Sequence, residues 1–463
     1  MELHNITALS PIDGRYSQKS SISDLRGYMS EFGLIKYRVI IEIAWLKYLS
    51  ELDSIPHLDK LSKEIDNSLS DLVHNFSPND ALEVKNIEAE TNHDVKAVEY
   101  YLAKKLSTAG ANNKVLSFIH FACTSEDINN LSYALMLKDV RSNLLEGWLT
   151  SLITKLSHLS RKYSKIAMLS RTHGQAATPT TLGKELSVYH IRLKNQLDRL
   201  LAINIYGKMN GAVGNYNAHV IAYPDVNWTN ETKQFIENFD LTQSTHTTQI
   251  ESHDWISEYM QSLMRLNTVI IDLCQDMWSY ISLGYFKSII NNKEVGSSTM
   301  PHKVNPIDFE NAEGNLGVAN ANLGFLSNKL PQSRWQRDLT DSTCLRSSAI
   351  GIGHSLLAIE SCLNGINKVE PDIKKISSDL AKNYELLAEP IQTVMRKYGI
   401  SDAYDQLKNL TRGKQITKED LKVFISSIDG IPEDDKNMLL LLSPEDYVGL
   451  AIDLANSDNL KDK

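Results

Sequence analysis

Residues 256–281 read ISEYMQSLMRLNTVIIDLCQDMWSYI, and apolar side chains such as Leu263 and Ile270 recur in this stretch at every third or fourth position. This spacing is that of one face of an α-helix. No proline interrupts the chain between Pro224 and Pro301, and proline is the residue that helix interiors exclude. The stretch therefore predicts one long helix.

Other proline-poor regions carry the same stripe, for example Leu145 to Leu159 and Leu182 to Leu200. Five long helices are expected near residues 125–165, 180–208, 249–290, 307–330 and 341–368. Helices of ~30 residues span ~45 Å and favour a bundle over an ordinary globular arrangement. Several segments carry apolar residues on more than one face, which suggests burial against other subunits. A monomeric bundle with a thick core is the alternative.

Shorter segments flank the long helices on both sides. Before residue 112 the elements are shorter and more polar, and after Pro371 glycine and proline again divide the chain into short pieces. Strand signals are weak. We predict an all-α fold, with a central bundle of five long helices (113–368) between two smaller, mainly helical domains (1–112 and 369–463).

Composition limits the functional classes. The 463 residues carry a formal net charge of -9 and a pI near 5.8, which argues against nucleic-acid binding. The four cysteines lack metal-ligand spacing, so buried free thiols and a reducing compartment are expected. The N-terminus does not resemble a signal peptide, and no apolar run approaches the ~20 residues that span a membrane. We predict a cytoplasmic protein without membrane or nucleic-acid partners.

Familiar cofactor motifs are missing from the sequence. There is no GxxxxGK[ST] loop, HExxH, GxSxG or EF-hand pattern. The segment GIGHSL (351–356) lacks the third glycine of a dinucleotide fingerprint, and HTTQIESH (246–253) lacks zinc-like spacing. We predict neither a metal nor another cofactor.

Two polar segments lie at predicted helix ends. In TSEDINN (124–130), Thr124 or Ser125 fits an N-cap, and a helix N-terminus also attracts anions. A cap without further function is the simpler interpretation. In LSRTHGQAATPTTLGKE (169–185), Thr178 fits a helix cap with Pro179 in the first turn. His173 lies in this Thr/Gly/Gln-rich stretch and is a candidate general acid or base.

Three further polar segments carry binding candidates. In SRWQRDLTDSTCLR (333–346), Thr340 or Asp341 fits a cap. Arg337, Ser342 and Arg346 near this helix start are a candidate phosphate site, with a surface Asp–Arg network as the alternative. The other two segments are TNHDVKAVEYYL (91–102), with His93 in the first turn of a helix, and SPIDGRY (10–16), a turn displaying Arg15 and Tyr16.

The loop GSSTMPHKVNP (296–306) concentrates hydrogen-bonding groups between two prolines. It closely resembles the GSSxMPxKxNP signature of the fumarase/aspartase superfamily. RTHGQAATP, TNHDVKAVEYYL, FACTSEDINN and SRWQRDLTDST resemble the adenylosuccinate lyase family within it, and the resemblance covers nearly the whole chain. It implies a homotetramer, a central helical bundle and elimination of fumarate. The implied substrates are adenylosuccinate, which gives AMP, and the succinylaminoimidazole carboxamide ribotide (SAICAR), which gives AICAR, in purine nucleotide biosynthesis.

The resemblance also implies roles for individual residues. Ser297 is the expected general base, His173 the general acid and Glu310 the carboxylate that orients His173. Lys303 and Asn305, with Thr124 and Ser125, are expected to hold the succinyl carboxylates. The other expected substrate-binding residues are Arg15, Tyr16, Asn92, His93, Asp94, Gln249, Ser298, Arg337, Ser342 and Arg346, of which the arginines, Tyr16 and Ser342 match phosphate binders. The active site is expected to draw on three subunits, and the signature loop to close over substrate.

Small departures from the family pattern occur at Ala176 and Val304, and neither side chain is an obvious catalyst. A sister enzyme such as argininosuccinate lyase or fumarase would share the loop but does not need the phosphate cluster around Arg337. A non-catalytic scaffold of the same fold is the other alternative. The joint presence of Ser297, His173, Lys303 and Glu310 argues against it.

Overall fold

The computed structural model of this chain describes residues 5–289, 300, 303–411 and 416–457. Ser297 and Ser298 lie outside these ranges, and so does most of the signature loop, so the predicted loop closure is not addressed by the described residues.

The N-terminal part consists of helices, and α2 to α6 each begin at a residue whose side chain caps the helix. After a 3-10 turn at Asn5–Thr7, the helices are α1 (Ser20–Met29), α2 (Glu31–Glu51), α3 (Lys63–His74), α4 (Pro78–Thr91), α5 (Asp94–Thr108) and α6 (Asn113–Ser117). Ser30 caps α2 by accepting a hydrogen bond from the Gly33 amide. Ser77 and Asp80 form a reciprocal capping box at α4, which satisfies amides that a helix start leaves unpaired.

The middle of the chain contains the long helices. In chain order they and their shorter neighbours are α7 (Ser125–Val140), a π-helical turn (Arg141–Leu145), α8 (Glu146–Lys162), α9 (Leu182–Leu201), α10 (Asn217–Ala222), α11 (Trp228–Glu237), α12 (Asp254–Ser282), α13 (Ile307–Lys329), α14 (Thr340–Leu345) and α15 (Ser348–Asn367). The five predicted long segments are present as α7–α8, α9, α12, α13 and α15, and the all-α prediction is confirmed.

The C-terminal part is a set of short helices with its own core. They are α16 (Ile373–Leu380), a 3-10 turn (Tyr384–Leu387), α17 (Ala388–Lys397), α18 (Ala403–Thr411), α19 (Lys418–Ser427), α20 (Glu433–Leu441) and α21 (Ala451–Ala455). Ile391, Met395, Leu407, Leu421 and Ile425 are buried together in one cluster, as expected for apolar stripes on neighbouring helices.

Six short strands form three two-stranded sheets in the described residues. The antiparallel pairs are β1 (Ala167–Thr172) with β2 (Gln175–Thr181), and β5 (Phe286–Ser288) with β6 (Val369–Pro371). A parallel pair joins β3 (Tyr206–Gly207) to β4 (Thr242–Gln243).

The predicted helix start at Thr178 and Pro179 is wrong, because both residues belong to β2 and α9 begins at Leu182. The pairing of β1 with β2 is irregular between Met168 and Ser170. Pro179 lies opposite this irregularity, which is where a strand tolerates a residue without an amide proton.

The predicted start of the last long helix also needs correction. Asp338 accepts a hydrogen bond from the Thr340 amide at 2.8 Å, and the cap position is Leu339, not Thr340 or Asp341. The short helix α14 ends at Leu345 and α15 begins at Ser348. Arg346 therefore lies at the break between α14, which contains Ser342, and α15.

The chain divides into two compact units. Unit 1 comprises Met1–Trp148, Gln196–Thr268 and Gly314–Glu360, and unit 2 comprises Leu149–Asn195, Val269–Glu313 and Ser361–Lys463. The predicted division into three domains stays a prediction.

Buried and partly buried hydrogen bonds between side chains join the long helices within each unit. In unit 1 the Asn267 amide of α12 donates to Asn320 of α13 and to Ser355 of α15. In unit 2 the hydroxyl of Tyr189 on α9 donates to Asp276 of α12. Such bonds satisfy polar groups inside a core and fix the register of neighbouring helices.

The cysteines are unpaired, as predicted. Cys274 and Cys362 are buried, whereas Cys123 and Cys344 are partly exposed, so the expectation of burial holds for two of the four.

One helical stretch, Thr340–Asn367, has the length and composition of a membrane span, but 78% of its most apolar window is buried inside the protein. Such burial is typical of a core helix.

Candidate active site

The N-terminus of α7 is the first element of the candidate site. The Thr124 amide donates to Oδ2 of Asp127 at 2.8 Å, and Thr124 occupies the N-cap position, which confirms the predicted cap. Thr124 and Ser125 are partly exposed, whereas Glu126 and Asp127 in the same turn are buried. The start of α7 thus presents hydroxyls to solvent and carboxylates to the interior.

A buried ion pair anchors this helix start. Nζ of Lys208 lies 3.0 Å from Oδ1 of Asp127, and neither side chain has any exposed surface. Asp127 also accepts hydrogen bonds from the amides of Asn210 and Gly211. The ammonium of Lys208 and the carboxylate of Asp127 both make hydrogen bonds outside the pair. Additional bonds of this kind are the condition under which a buried ion pair is tolerated.

Lys208 extends the same network to Gln249. Its ammonium donates to the carbonyl oxygen of Gln249 at 2.6 Å and to that of Gly211 at 3.0 Å. The Gln249 side chain donates to the carbonyl of Ala212 and accepts a hydrogen bond from Nη1 of Arg337 at 3.1 Å. The structure therefore brings together two of the predicted substrate-binding residues, Gln249 and Arg337.

Arg337 also faces two buried carboxylates. Its Nη2 lies 3.4 Å from Oε2 of Glu126 and 3.9 Å from Oδ1 of Asp341. Nε2 of the buried His253 lies 3.5 Å from Oδ2 of Asp341. The His253 amide donates to Glu251 at 2.8 Å. A cluster of three carboxylates, one arginine and one histidine results.

The protonation of this cluster depends on burial and on its internal charges. Burial raises the pKa of Glu126 to about 7, although His253 and Arg337 oppose the shift. Burial lowers the pKa of His253, but the carboxylates of Asp341, Glu126 and Glu251 outweigh it, and the net pKa is raised. For Asp341, burial is outweighed by the His253 hydrogen bond, the Ser342 amide and Arg337, and its pKa is lowered. These directions favour a charged His253 beside an ionised Asp341.

Glu126, His253 and Asp341 offer ligand atoms that all lie within 4.8 Å of one another, a grouping that could hold a metal ion. The guanidinium of Arg337 already supplies a cation to Glu126 and Asp341. We therefore interpret the group as an ion-pair network, and the absence of a metal cofactor stays a prediction.

A second cluster in unit 1 contains Asp94 and Arg346. Asp94 accepts from Nη2 of Arg346 at 2.9 Å and from Nη2 of the buried Arg38 at 2.7 Å. Arg346 also pairs with Glu31 at 2.8 Å. These contacts lower the pKa of Asp94 against the effect of its burial, so the carboxylate is ionised and holds both arginines.

The segment before Asp94 has an unusual backbone. Asn92 adopts a left-handed conformation with φ 54° at the end of α4. His93 is the N-cap of α5, outside the first turn where it was predicted, and its Nδ1 accepts from the Lys96 amide at 3.1 Å. A neutral His93 therefore carries its proton on Nε2, and its side chain is 53% exposed.

Arg15 and Tyr16 lie in a separate turn of unit 1. The amides of Gly14 and Tyr16 donate to the carbonyls of Ser10 and Pro11 at 2.9 Å. Tyr16 packs against Ile12 and Ile22. No hydrogen bond in the described part of the chain links this turn to Arg337 or Arg346.

His173 occupies the tip of the β1–β2 hairpin in unit 2. His173 and Gly174 both have positive φ, 55° and 75°, as in the two-residue turns that suit the twist of a hairpin. A left-handed histidine is uncommon and costs backbone energy, a feature that clusters at functional sites. The imidazole is exposed, so a proton on it is accessible.

The remaining predicted residues of unit 2 lie at or before the start of α13. Lys303 and Asn305 are exposed. Glu310, in the first turn of α13, accepts a hydrogen bond from Nε1 of Trp278 at 3.1 Å. Among the described residues, no hydrogen bond joins Glu310 to His173 within one chain.

Sequence reasoning missed several residues of the central network. Glu126 and Asp341 lie in segments that the sequence analysis selected, but these two residues were considered there only as part of a helix start. His253 lies in a segment that it tested for zinc spacing alone, and Lys208 carries no motif. The available signal was the charged stretch from Glu251 to Asp254 directly before the long apolar stripe of α12.

Comparison with known families places this site in a context. The family pattern described as Lyase matches residues 14–320, and the pattern described as Adenylosuccinate lyase C-terminal matches residues 333–448. The chain is similar to adenylosuccinate lyase of Haemophilus influenzae, at 49% identity over 98% of this chain and 99% of that protein. It is equally similar to adenylosuccinate lyase of Escherichia coli K12, at 49% identity over 100% of each chain.

Solved structures with low sequence identity share the fold. Fumarate lyase from Mesorhizobium sp. BNC1 matches with a TM-score of 0.73 at 16% identity, over 95% of this chain and 97% of that one. The 3-carboxy-cis,cis-muconate lactonizing enzyme from Pseudomonas putida matches with a TM-score of 0.72 at 18% identity, over 95% and 96%. The full-length identities and both family patterns lead to one assignment: the chain is a lyase that belongs to the adenylosuccinate lyase family of the fumarase/aspartase superfamily.

Proposed function

We propose that this lyase cleaves adenylosuccinate to AMP and fumarate. The observation that carries the proposal is the hydrogen bond between Arg337 and Gln249, close to the N-terminus of α7. A guanidinium beside a helix N-terminus suits a substrate that carries both a phosphate and carboxylates. Full-length similarity to proteins named adenylosuccinate lyase supports the same substrate.

The proposed chemistry is a β-elimination. Ser297 takes a proton from the succinyl β-carbon, and the electron pair of that C–H bond becomes the new C=C bond of fumarate. The C–N bond breaks, its electron pair stays on the departing nitrogen, and His173 donates the proton that this nitrogen gains. Base and acid of this kind each contribute ~10²–10⁴-fold in rate.

Charge develops on the succinyl carboxylate when the proton leaves, so the barrier depends on donors aimed at that carboxylate. Lys303 and Asn305 are exposed before α13, and Thr124 and Ser125 are partly exposed at the start of α7. In the proposal these four side chains hold the succinyl carboxylates. A cation such as Lys303 would also favour the alkoxide character that Ser297 needs.

We propose that the same site cleaves SAICAR to AICAR and fumarate. SAICAR shares the succinylamino group and the ribose phosphate with adenylosuccinate, so the residues at both ends of the substrate keep their roles. The two substrates differ only in the base. In the proposal the base contacts Asn92, His93 and other residues of the predicted binding set.

We further propose a homotetramer whose active sites each draw on three subunits. Glu310 accepts a hydrogen bond from Trp278 within one chain, and the proposal assigns its pairing with His173 to another copy. Large apolar side chains are also exposed on the long helices, among them Trp278 (47%), Val318 (49%) and Phe325 (54%). Exposed apolar surface of this kind favours association. The proposed location is the cytoplasm.

A fumarate assay on purified protein tests the proposal. Adenylosuccinate and SAICAR are each expected to release fumarate, whereas argininosuccinate, the control for a sister enzyme, is not. Fumarate from argininosuccinate alone would reassign the substrate. No fumarate from any of them, with an intact tetramer by light scattering, would favour a scaffold.

A further inference from the structure

The two carboxylates next to Arg337 oppose the binding of phosphate by this arginine. Glu126 and Asp341 lie 3.4 and 3.9 Å from its Nη2, and both carboxylates are buried. Two ionised carboxylates would cancel the charge of one guanidinium and leave a negative excess. A phosphate approaching such a cluster would be repelled, because interactions inside a protein are screened less than in water.

Among the described residues, Arg337 nevertheless donates no hydrogen bond to these two carboxylates. Its described hydrogen bond runs from Nη1 to Gln249. Asp341 Oδ1, the oxygen nearest Arg337, accepts no hydrogen bond from any described residue, nor does Glu126 Oε1. N–H groups of Arg337 therefore remain for a ligand, provided that the charge of the cluster is balanced by another group.

His253 is placed to supply that balance. It is 1% exposed, its Nε2 faces Asp341 at 3.5 Å, and its Nδ1 lies 3.9 Å from Oε2 of Glu251. A ring nitrogen of His253 also lies within 4.8 Å of a carboxylate oxygen of Glu126. The backbone of His253 is left-handed, with φ 61°, so the chain holds an uncommon conformation that directs this imidazole among the carboxylates.

We propose that His253 is a positioning residue for phosphate recognition: its imidazolium compensates Glu126, Glu251 and Asp341, so that the charge and the N–H groups of Arg337 serve the substrate phosphate. This inference rests on the proposed function. His253 itself touches no substrate in the proposal and acts only through the carboxylates. The raised pKa of His253 agrees with a protonated imidazole near neutral pH.

The charges around His253 come from several elements. Glu126 lies on α7, Glu251 directly before α12, and Asp341 and Arg337 at or before α14. Lys208 acts on Glu126 from a greater distance and is paired with Asp127. Above the pKa of Glu126, about 7, three ionised carboxylates face two cations when His253 is protonated and one cation when it is neutral. Removal of the imidazolium leaves the carboxylates to compete with phosphate for Arg337.

Binding of AMP and of adenosine to the full-length protein tests this at pH 7.5 by calorimetry. Adenosine is the matched ligand without phosphate. In His253→Gln we expect AMP affinity to fall about tenfold, the effect of losing one charged partner, while adenosine affinity stays within twofold. Adenylosuccinate turnover should show a raised KM with a kcat changed less than threefold.

A charge-balanced double variant separates compensation from packing. Glu126→Gln in the His253→Gln background removes one negative charge together with the positive one, and should restore most of the AMP affinity. A packing role would make the double variant worse than either single variant. His253→Asn, which tolerates a left-handed backbone better, should reproduce the His253→Gln defect. His354→Gln, which removes a buried histidine bonded to Asn315, should leave the AMP-to-adenosine ratio unchanged.

The outcomes are distinct. An unchanged AMP-to-adenosine ratio in folded His253→Gln would overturn the inference, and so would a defect that Glu126→Gln deepens. Wild-type protein that neither cleaves adenylosuccinate nor binds AMP would instead refute the proposed function. Wild-type cleavage with an unaffected His253→Gln would refute the positioning role alone.

Discussion

Nη1 of Arg337 donates a hydrogen bond to Oε1 of Gln249 at 3.1 Å, although the two residues are 88 positions apart in sequence. Gln249 is itself held by Lys208 through its carbonyl and by Ala212 through its side chain. The arginine proposed to bind phosphate is thus fixed by a partner that is anchored at both ends. Preorganisation of this kind lowers the entropy that a binding group loses when ligand arrives.

Arg337→Ala should weaken binding more than chemistry. Loss of a charge-assisted contact to phosphate costs about 2–3 kcal/mol, which corresponds to about 30- to 150-fold in KM. Steady-state kinetics with adenylosuccinate measures it. Arg334→Ala is the control, because that side chain is 83% exposed and pairs with the nearby Asp338. Equal effects in the two variants would remove Arg337 from the phosphate site.

Ser297→Ala and His173→Ala should each reduce turnover by ~10²–10⁴-fold, the usual contribution of a positioned base or acid. Both variants are expected to stay folded and tetrameric, because His173 is exposed at a hairpin tip and its backbone turn does not need the imidazole. Fumarate release and light scattering measure the two properties.

A mixture of these two variants tests whether sites are shared. If the base and the acid of one site come from different subunits, unfolding the variants together and refolding them should restore about a quarter of wild-type activity in randomly mixed tetramers. Each variant refolded alone is the control. A mixture as inactive as its components would place both residues in the same chain.

The sequence predicts the fold well where periodicity is long. Proline-free stripes such as that containing Leu263 and Ile270 identify the long helices, because only a helix buries every third or fourth residue over such a length. Short elements escape this test. The hairpin of β1 and β2 has a proline in one strand, so Thr178 and Pro179 matched a helix start better than a strand.

The candidate site was predictable only where a motif exists. Arg337 and Gln249 follow from resemblance to a family, whereas His253 and Lys208 derive their roles from neighbours that are far away in sequence. A lone histidine or lysine has no local signal that distinguishes a buried charge partner from a surface residue. The structure identifies the roles of these two residues, because it places Asp341 beside His253 and Asp127 beside Lys208.

Lys208→Met should destabilise the protein strongly. It leaves Asp127 as a buried charge without its cation, and breaking a buried pair in this way costs about 3–5 kcal/mol. Urea denaturation measures the loss. Lys233→Met is the control, since Lys233 and Glu237 form an exposed pair whose loss costs less than about 1 kcal/mol. Comparable small losses would mean that Asp127 is satisfied by the amides of Asn210 and Gly211 alone.

His219 should make stability depend on acid pH. It is fully buried against the rings of Tyr216 and Trp228, and burial lowers its pKa from 6.5 to about 4. The unfolded chain therefore binds a proton that the folded chain refuses, so stability falls as the pH drops from 6.5 towards 4. This group contributes up to about 3 kcal/mol to that fall.

His219→Phe should flatten this pH dependence, because phenylalanine keeps the ring packing and does not titrate. Denaturation midpoints between pH 7 and pH 4.5 give the slope. His74→Phe, at an exposed position near the end of α3, is the control and should keep the wild-type slope. An unchanged slope in His219→Phe would assign the acid sensitivity to other groups.

Phe325→Glu should dissociate the assembly. Phe325 is 54% exposed on α13, and the proposed tetramer would bury it against another copy, where an unpaired carboxylate is costly. Light scattering should show smaller species, and turnover should fall in parallel, because the proposed sites need several subunits. Val423→Glu is the control: Val423 is 72% exposed on α19, within the short C-terminal helices. A Phe325→Glu variant that stays tetrameric would show that this face of α13 is not an interface, and one that dissociates but keeps full activity would show that a single chain completes the site.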